Sequence, residues 1–179
     1  MTTTLPHTRR GLRRTLTVGV VGLALVATTA SGSDEPAQKV DAPTGGGDQS
    51  ETFAVGDHVA LGGWTIIAHG VTDPLTPGNE FLAPEPGNRW VAVDVEATNT
   101  GDSPETMSSV MCFDLLDSTN RSHTVTITGS GASTLDGGVG PGASLRGDLE
   151  FEIPEDATGL KLVFSCDLTS SSSATIALD

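Results

Sequence analysis

The chain has 179 residues, a formal charge of −14, and 36% hydrophobic, 4% aromatic and 18% charged residues, which fits one globular domain with appendages and not two large domains. Arg9, Arg10, Arg13 and Arg14 all precede residue 15, and no acid precedes Asp34; from Ser31 onward five basic residues stand against 23 acidic ones, a formal −18. Such a surface repels phosphate backbones and lacks the basic footprint that nucleic-acid binding needs, so that class of function is excluded.

Residues 1–30 read as a secretory signal peptide. An Arg-only head is followed by the uncharged apolar run LTVGVVGLALVA (16–27) and by small residues that allow cleavage after Ala30. The run is shorter than the roughly 20 apolar residues of a spanning helix, so contact with a membrane is expected only through an uncleaved signal. Arg13-Arg14-Thr15-Leu16 also resembles a weak twin-arginine signal. Residues 31–52 lack apolar periodicity and are rich in Gly, Pro, Ser and acids, the composition of a disordered linker.

From Phe53 the chain reads as strands. The runs 53–61 and 63–71 are separated by Gly62-Gly63, a hairpin signal. In 72–89, Pro74, Pro77, Pro84 and Pro86 exclude a central strand and leave a long loop. Residues 90–98 alternate Val91, Val93, Val95 and Ala97 with Trp90, Ala92, Asp94 and Glu96, a strand with one wet face. Runs at 109–116 and 121–128 flank a turn at 117–120. The run 144–153 alternates with a phase break near Gly147 that suggests a bulge. Residues 159–166 and, after a turn at 170–173, the segment ATIAL complete the set, with no helix after the signal. About eight strands with 22 Gly and 10 Pro in the chain indicate an all-β, antiparallel two-sheet sandwich of immunoglobulin-like type over residues 53–179, with a barrel as the alternative.

Cys112 and Cys166 are an even pair in an exported chain, which favours one disulfide over two free thiols. Strand parity opposes them: if Phe113 and Leu115 face inward, Cys112 faces outward while Cys166 shares the parity of Leu162 and Phe164, so a bulge or a strand end is required. Asp148, Glu150 and Glu152, like Asp94 and Glu96, share one strand face. Such a stripe is either a carboxylate patch for Ca²⁺ or a solvated outer face, and the spacing favours the latter. His58, His69, His123, Met107 and Met111 offer donors that suit copper, but none stand at short spacing; Met111 reads as core and the histidines as surface or turn residues. There is no G-x-S-x-G elbow and no Ser-x-x-Lys, so no catalytic residue is assigned, and the Gly-rich 129–142 reads as a connector. Trp64 and Trp90 read as buried sandwich tryptophans. Asn99 and Gly101 suit a turn with positive φ. Leu75, Phe81 and Leu82 are apolar residues in the Pro-rich loop; they form either a partner-binding patch or, for Phe81 and Leu82, a plug folded back on one end of the sandwich.

Residues 87–101 (GNRWVAVDVEATNTG), Cys112-Phe113-Asp114-Leu115-Leu116-Asp117, Pro141-Gly142-Ala143-Ser144 and residues 147–157 (GDLEFEIPEDA) together resemble the immunoprotective-extracellular-antigen-like domain family, over about 53–179. That resemblance implies a bacterial secreted or lipoprotein module with an immunoglobulin-like fold and no established enzymatic activity. Many members carry a lipidated Cys; this chain has Ser33 in the corresponding segment. The expectation is an exported, non-catalytic binding module of the cell surface, envelope or medium, without cofactor and with an unidentified protein or cell-surface partner. The alternatives are an envelope metal-handling protein for Ca or Cu and, third, an extracellular hydrolase.

Overall fold

The computed structural model describes residues 37–39, 52–78, 81–166 and 171–179. The signal peptide at 1–30 and most of the 31–52 linker lie outside the described residues, as does Ser170 of the turn expected at 170–173. Within the linker, Gln38–Lys39 (β1) pairs antiparallel with Val59–Leu61 (β3), and Lys39 Nζ lies 2.7 Å from Asp57.

The run 53–61 is two strands. Thr52–Ala54 (β2) is separated from β3 by a turn in which Gly56 has φ 86° and the Asp57 carboxylate accepts the Ala54 amide. β3 then turns through Gly62 and Gly63, φ 59° and 79°, into Trp64–Thr72 (β4), the left-handed pair that a two-residue hairpin favours. β4 pairs with Asn88–Asn99 (β5), which pairs in turn with Ser144–Pro154 (β10), giving a sheet of order β1-β3-β4-β5-β10. The register shift lies in β4 between Ala68 and Gly70; β10 runs unbroken against β5 from Ser144↔Thr98 to Pro154↔Asn88. The bulge expected near Gly147 is therefore absent. Glycine is required there because residues 133–135 cross it: a Cβ would lie 2.6 Å from the Ser133 carbonyl oxygen.

The second sheet has the order β2-β12-β11-β7-β8, formed with Phe113–Leu116 (β7), Ser122–Thr124 (β8), Lys161–Phe164 (β11) and Ala174–Ala177 (β12). Its neighbours are antiparallel except β2 and β12. Glu105–Met107 (β6) and Gly137–Val139 (β9) form a small third sheet. The expected strand 109–116 starts as a helical turn, Ser109–Cys112 (α1). One apolar cluster joins the two large sheets: Val91, Val93 and Val95 of β5 and Leu149, Phe151 and Ile153 of β10 meet Phe113, Leu115, Leu162, Phe164 and Ile176. This is the immunoglobulin-like sandwich that the alternation implies. A bridge from Val125 to Phe151 ties the end of β8 to β10 and closes one side between the sheets.

Asn99 does not take the positive φ expected of it, nor does Gly101; among the described non-glycine residues only Asn120 has one, at 61°. Asn99 is instead fully buried at the end of β5. Its Nδ2 donates to the carbonyls of Ser103 (2.8 Å) and Val139 (2.9 Å), and its Oδ1 accepts the Gly101 amide (2.9 Å). Its amide donates to the Ala143 carbonyl and its carbonyl accepts the Gly142 amide, so one residue joins β5, the turn after it, β9 and the Pro-Gly turn before β10.

Candidate functional site

Two loops are tied to the β5–β10 side of the first sheet, the first through described residues 73–78 and 81–87 and the second through residues 126–134. The loop 73–87 is fixed by the Leu75 amide, which donates to the Trp90 carbonyl at 2.7 Å. Glu152 fixes its other end, accepting from Asn88 Nδ2 (2.8 Å), the Glu85 amide (2.8 Å) and Trp90 Nε1 (3.0 Å); these donors, Asn88 first, hold its carboxyl below the usual range. Arg89 grips Asp73 through Nε (2.6 Å) and Nη2 (2.9 Å) and also donates to the carbonyls of Pro154, Glu155 and Ala157. Trp90 and Ala92 are buried under this cover, so the face expected to be wet is wet only toward Asp94 and Glu96.

The second loop, 126–134, runs along the open edge of β10. Glu150, 8% exposed, accepts from the Thr128 amide (3.1 Å) and Oγ1 (2.6 Å) and from Ser130 Oγ, and the Asp148 amide donates to the Ser133 carbonyl at 2.8 Å. The two loops touch at Gly78, where a Cβ would lie 2.9 Å from the carbonyl oxygens of Gly129 and Ser130. The carboxylate stripe of β10 thus divides in use. Glu152 pins the first loop, Glu150 pins the second, and Asp148 keeps a half-buried carboxylate that accepts no hydrogen bond from any described residue. Among the described residues no group of three or more His, Cys, Asp or Glu side chains is gathered to hold a metal ion.

In the first loop Leu75 is half-buried, Leu82 is 41% exposed and Phe81 is 87% exposed. The fold-back of Phe81 and Leu82 onto the sandwich does not occur.

A cleft of about 300 Å³ opens between α1 and the second loop. Val110, Val125 and Ile127 form its apolar side, with Asp136, Asp148 and Glu150 on the other. Asp136 accepts from the Ser109 amide (2.8 Å) and Oγ (2.9 Å), which orients α1 over the cleft. Burial, with the charges of Asp94 and Glu150, pushes the Asp148 carboxyl up. The nearby Arg146 offsets little of this, because its guanidinium is held by Asp94 through Nε (2.8 Å) and Nη2 (2.6 Å). Ile127 is 91% exposed, Val110 63% and Met111 60%. Met111 is therefore not core: Met107 fills that role at 1% exposure, and α1 turns Met111 outward.

The copper-type donors stay apart. His69, pushed out at the β4 bulge, is hydrogen-bonded to Glu96 at 3.0 Å, and His58 is exposed. His123 is buried, contrary to the surface reading, because Asp117 beneath it supplies a partner at 3.1 Å. Asp117 also accepts from Thr119 Oγ1 (2.6 Å), the Thr119 amide (2.8 Å) and the Arg121 amide (3.1 Å). These donors, Thr119 and His123 foremost, hold its carboxyl well below the usual range. A carboxyl lowered in the fold stabilises above its unfolded value, about 3.9, and that contribution is lost as pH falls through the folded value. Thermal melts between pH 5 and pH 2 are expected to lose stability along this limb, and Asp117→Asn is expected to flatten it. An unchanged acid limb in the variant would refute the assignment.

Cys112 and Cys166 form a disulfide. The parity conflict disappears because α1 occupies the position before β7, and Cys166 lies beyond the end of β11. The bond links the residue before β7 to the chain just past β11, beyond the paired ends of these neighbouring strands and next to the Phe113–Phe164 ring contact at 5.1 Å.

Comparison with known proteins places this architecture. The family described as Domain of unknown function (DUF4352) matches residues 53–175. The chain belongs to that family. Among solved structures, the DUF4352 chain is similar to the yjhA protein of Bacillus subtilis, at 17% identity and TM-score 0.56 over 72% of this chain and 100% of that one. It is similar to ycdA of Bacillus subtilis, provisionally described as a lipoprotein, at 19% identity and TM-score 0.53 over 65% of this chain and 36% of that one. A conserved hypothetical protein of Bacillus anthracis follows at 15% identity and TM-score 0.50, over 71% and 95%. At these identities the likeness shows the fold alone. No curated protein matches the chain. Among the described residues, no helix of this DUF4352 protein is long and apolar enough to cross a membrane.

Proposed function

We propose that this DUF4352 domain is an exported, non-catalytic binding module that engages a protein partner at the bacterial cell surface or in the medium through the 73–87 loop. The observation that carries the reading is Phe81, 87% exposed beside Leu82 on a loop anchored at Leu75 and Glu85. Binding residues concentrate on loops held by a rigid scaffold. Anchored ends and nearby prolines reduce the entropy lost when such a loop docks. Export is supported by the Arg-only head and apolar run of residues 1–30 and by the resemblance to immunoprotective-extracellular-antigen-like domains, a narrower kinship that is part of this proposal. Ser33, in place of a lipidated cysteine, favours release over lipid anchoring.

Photo-crosslinking from position 82, beside an intact Phe81, on intact producing cells, followed by mass spectrometry, tests it. A reproducible partner is expected, bound about 30-fold more weakly by Phe81→Asp if Phe81 is an interfacial hot spot. Self-links only, or capture that Phe81→Asp leaves unchanged, would sink the reading.

A further inference from the structure

We propose that the cleft between α1 and the 126–134 loop takes a small organic cation, an ammonium group carried on an apolar body. The inference rests on the reading of the domain as a binding module and assigns a second ligand class to the other long loop.

Charge and shape lead to it together. One side of the cleft is aliphatic, with Val110 and Ile127 standing largely in solvent, 63% and 91% exposed, although they flank a cavity. The other side carries Asp136, Asp148 and Glu150, and no Lys or Arg lines the space. Two of these carboxylates have internal tasks: Asp136 holds α1 through Ser109, and Glu150 holds the loop through Thr128 and Ser130. Asp148 has none. Its cross-strand neighbour is Asp94, which holds the guanidinium of Arg146 and leaves Asp148 without a hydrogen bond from that cation.

Three occupant chemistries can be compared on these facts. An anion would enter against three carboxylates on a chain with a formal −18 from Ser31 onward. A neutral apolar molecule would cover the aliphatic side but desolvate the Asp148 carboxylate without giving it a partner. An ammonium group satisfies both sides: its body covers Val110, Val125 and Ile127 while its charge meets Asp148. A bound cation would also relieve the condition that raises the Asp148 carboxyl, burial beside like charges. At about 300 Å³ the cleft is at the small end of ligand sites, the size of a single ring or short alkyl chain with its amine.

The test is a titration of the exported protein followed by methyl NMR, using phenethylammonium as the probe and phenylacetate as the anion of matched size. Saturable shifts at Val110, Val125 and Ile127 with phenethylammonium and none with phenylacetate are expected. Asp148→Asn keeps the side-chain shape and removes a like charge opposite Asp94, so the variant should fold; it should bind about tenfold more weakly, the loss of one charge-assisted contact. Equal binding of phenylacetate, unsaturating shifts spread over the acidic surface, or undiminished binding by Asp148→Asn would each overturn the proposal. Phe81→Asp is expected to bind the amine normally. Amine binding by the wild type with no cell-surface capture would sink the partner reading alone, and capture by the wild type without amine binding would sink this one alone.

Discussion

Replacing Cys112 and Cys166 together by alanine is expected to cost about 4 kcal/mol of stability, the chain-entropy value for a loop closed over 54 residues. For a domain of this size that lowers the melting temperature by roughly 15 °C. The position of the bond explains why the loss would be global. It ties the start of β7 to the chain leaving β11, two strands already in register from Phe113↔Phe164 to Leu116↔Lys161. In the unfolded chain it holds together segments that otherwise must find each other across β8, the acidic-cleft loop, β9 and β10. The Ser165 amide donates to the Cys112 carbonyl at 2.9 Å beside it, so the bridge continues the ladder where the strands themselves stop. Chemical denaturation of wild type with and without reductant, beside the double variant, checks this. Reduced wild type should fall to the level of the variant, and the variant should ignore reductant. A difference below about 1 kcal/mol would show that the folded contacts, not the covalent bond, set the stability.

How much of this was legible follows from what each residue pattern encodes. The alternation in residues 90–98 encodes a face, and Val91, Val93, Val95 and Ala97 are all fully buried. Gly62-Gly63 encodes a backbone conformation, and the hairpin forms there. Periodicity could not reveal the break inside 53–61, because Phe53, Val55, Val59 and Leu61 share one parity across the turn. The sheet change is carried only by Gly56-Asp57. Gly147 gave a true signal with the wrong cause, since close passage of another segment and a bulge both call for glycine.

The candidate sites were legible in proportion to how local they are. Leu75, Phe81 and Leu82 lie on one stretch of sequence, and an apolar residue in a Pro-rich connector stands out there. The cleft is assembled from three separated pieces, around Val110, around Ile127 and at Asp148, and no one-dimensional pattern joins them. The stripe Asp148, Glu150 and Glu152 shows the same limit. Its period of two placed all three on one face, but whether a carboxylate faces water or a loop depends on chain that arrives from elsewhere. The donors that decide it, Thr128 and Ser130 for Glu150 and Asn88 and Trp90 for Glu152, are 20 or more residues away.

Asn99 is the residue whose loss is expected to be felt most at a single site. Asn99→Ala removes two donors and one acceptor at once, leaving the carbonyls of Ser103 and Val139 and the Gly101 amide without their partner. The Val139 bond is buried, and Asn99 itself is 0% exposed, so water cannot substitute without opening the junction. The expected cost is about 3 kcal/mol. Asn99→Asp is the sharper experiment, because it keeps the volume and the acceptor to Gly101 but puts a carboxylate oxygen against two carbonyl oxygens. The aspartate must then stay protonated or the junction must open, so its loss should exceed that of alanine at neutral pH and shrink on acidification. The sign follows from burial: the folded carboxyl is raised, the neutral form is the tolerated one, and the penalty grows as pH rises past the unfolded value of about 3.9. Thr100→Ala next to it, exposed, should change stability by less than about 0.5 kcal/mol. Urea melts of the three variants at pH 7 and pH 4.5 decide the matter. If Asn99→Asp and Asn99→Ala lose equal amounts at both pH values, the side chain matters for the space it fills and not for the three bonds that make the Asn-Thr-Gly strand end the junction of β5, β9 and the turn before β10.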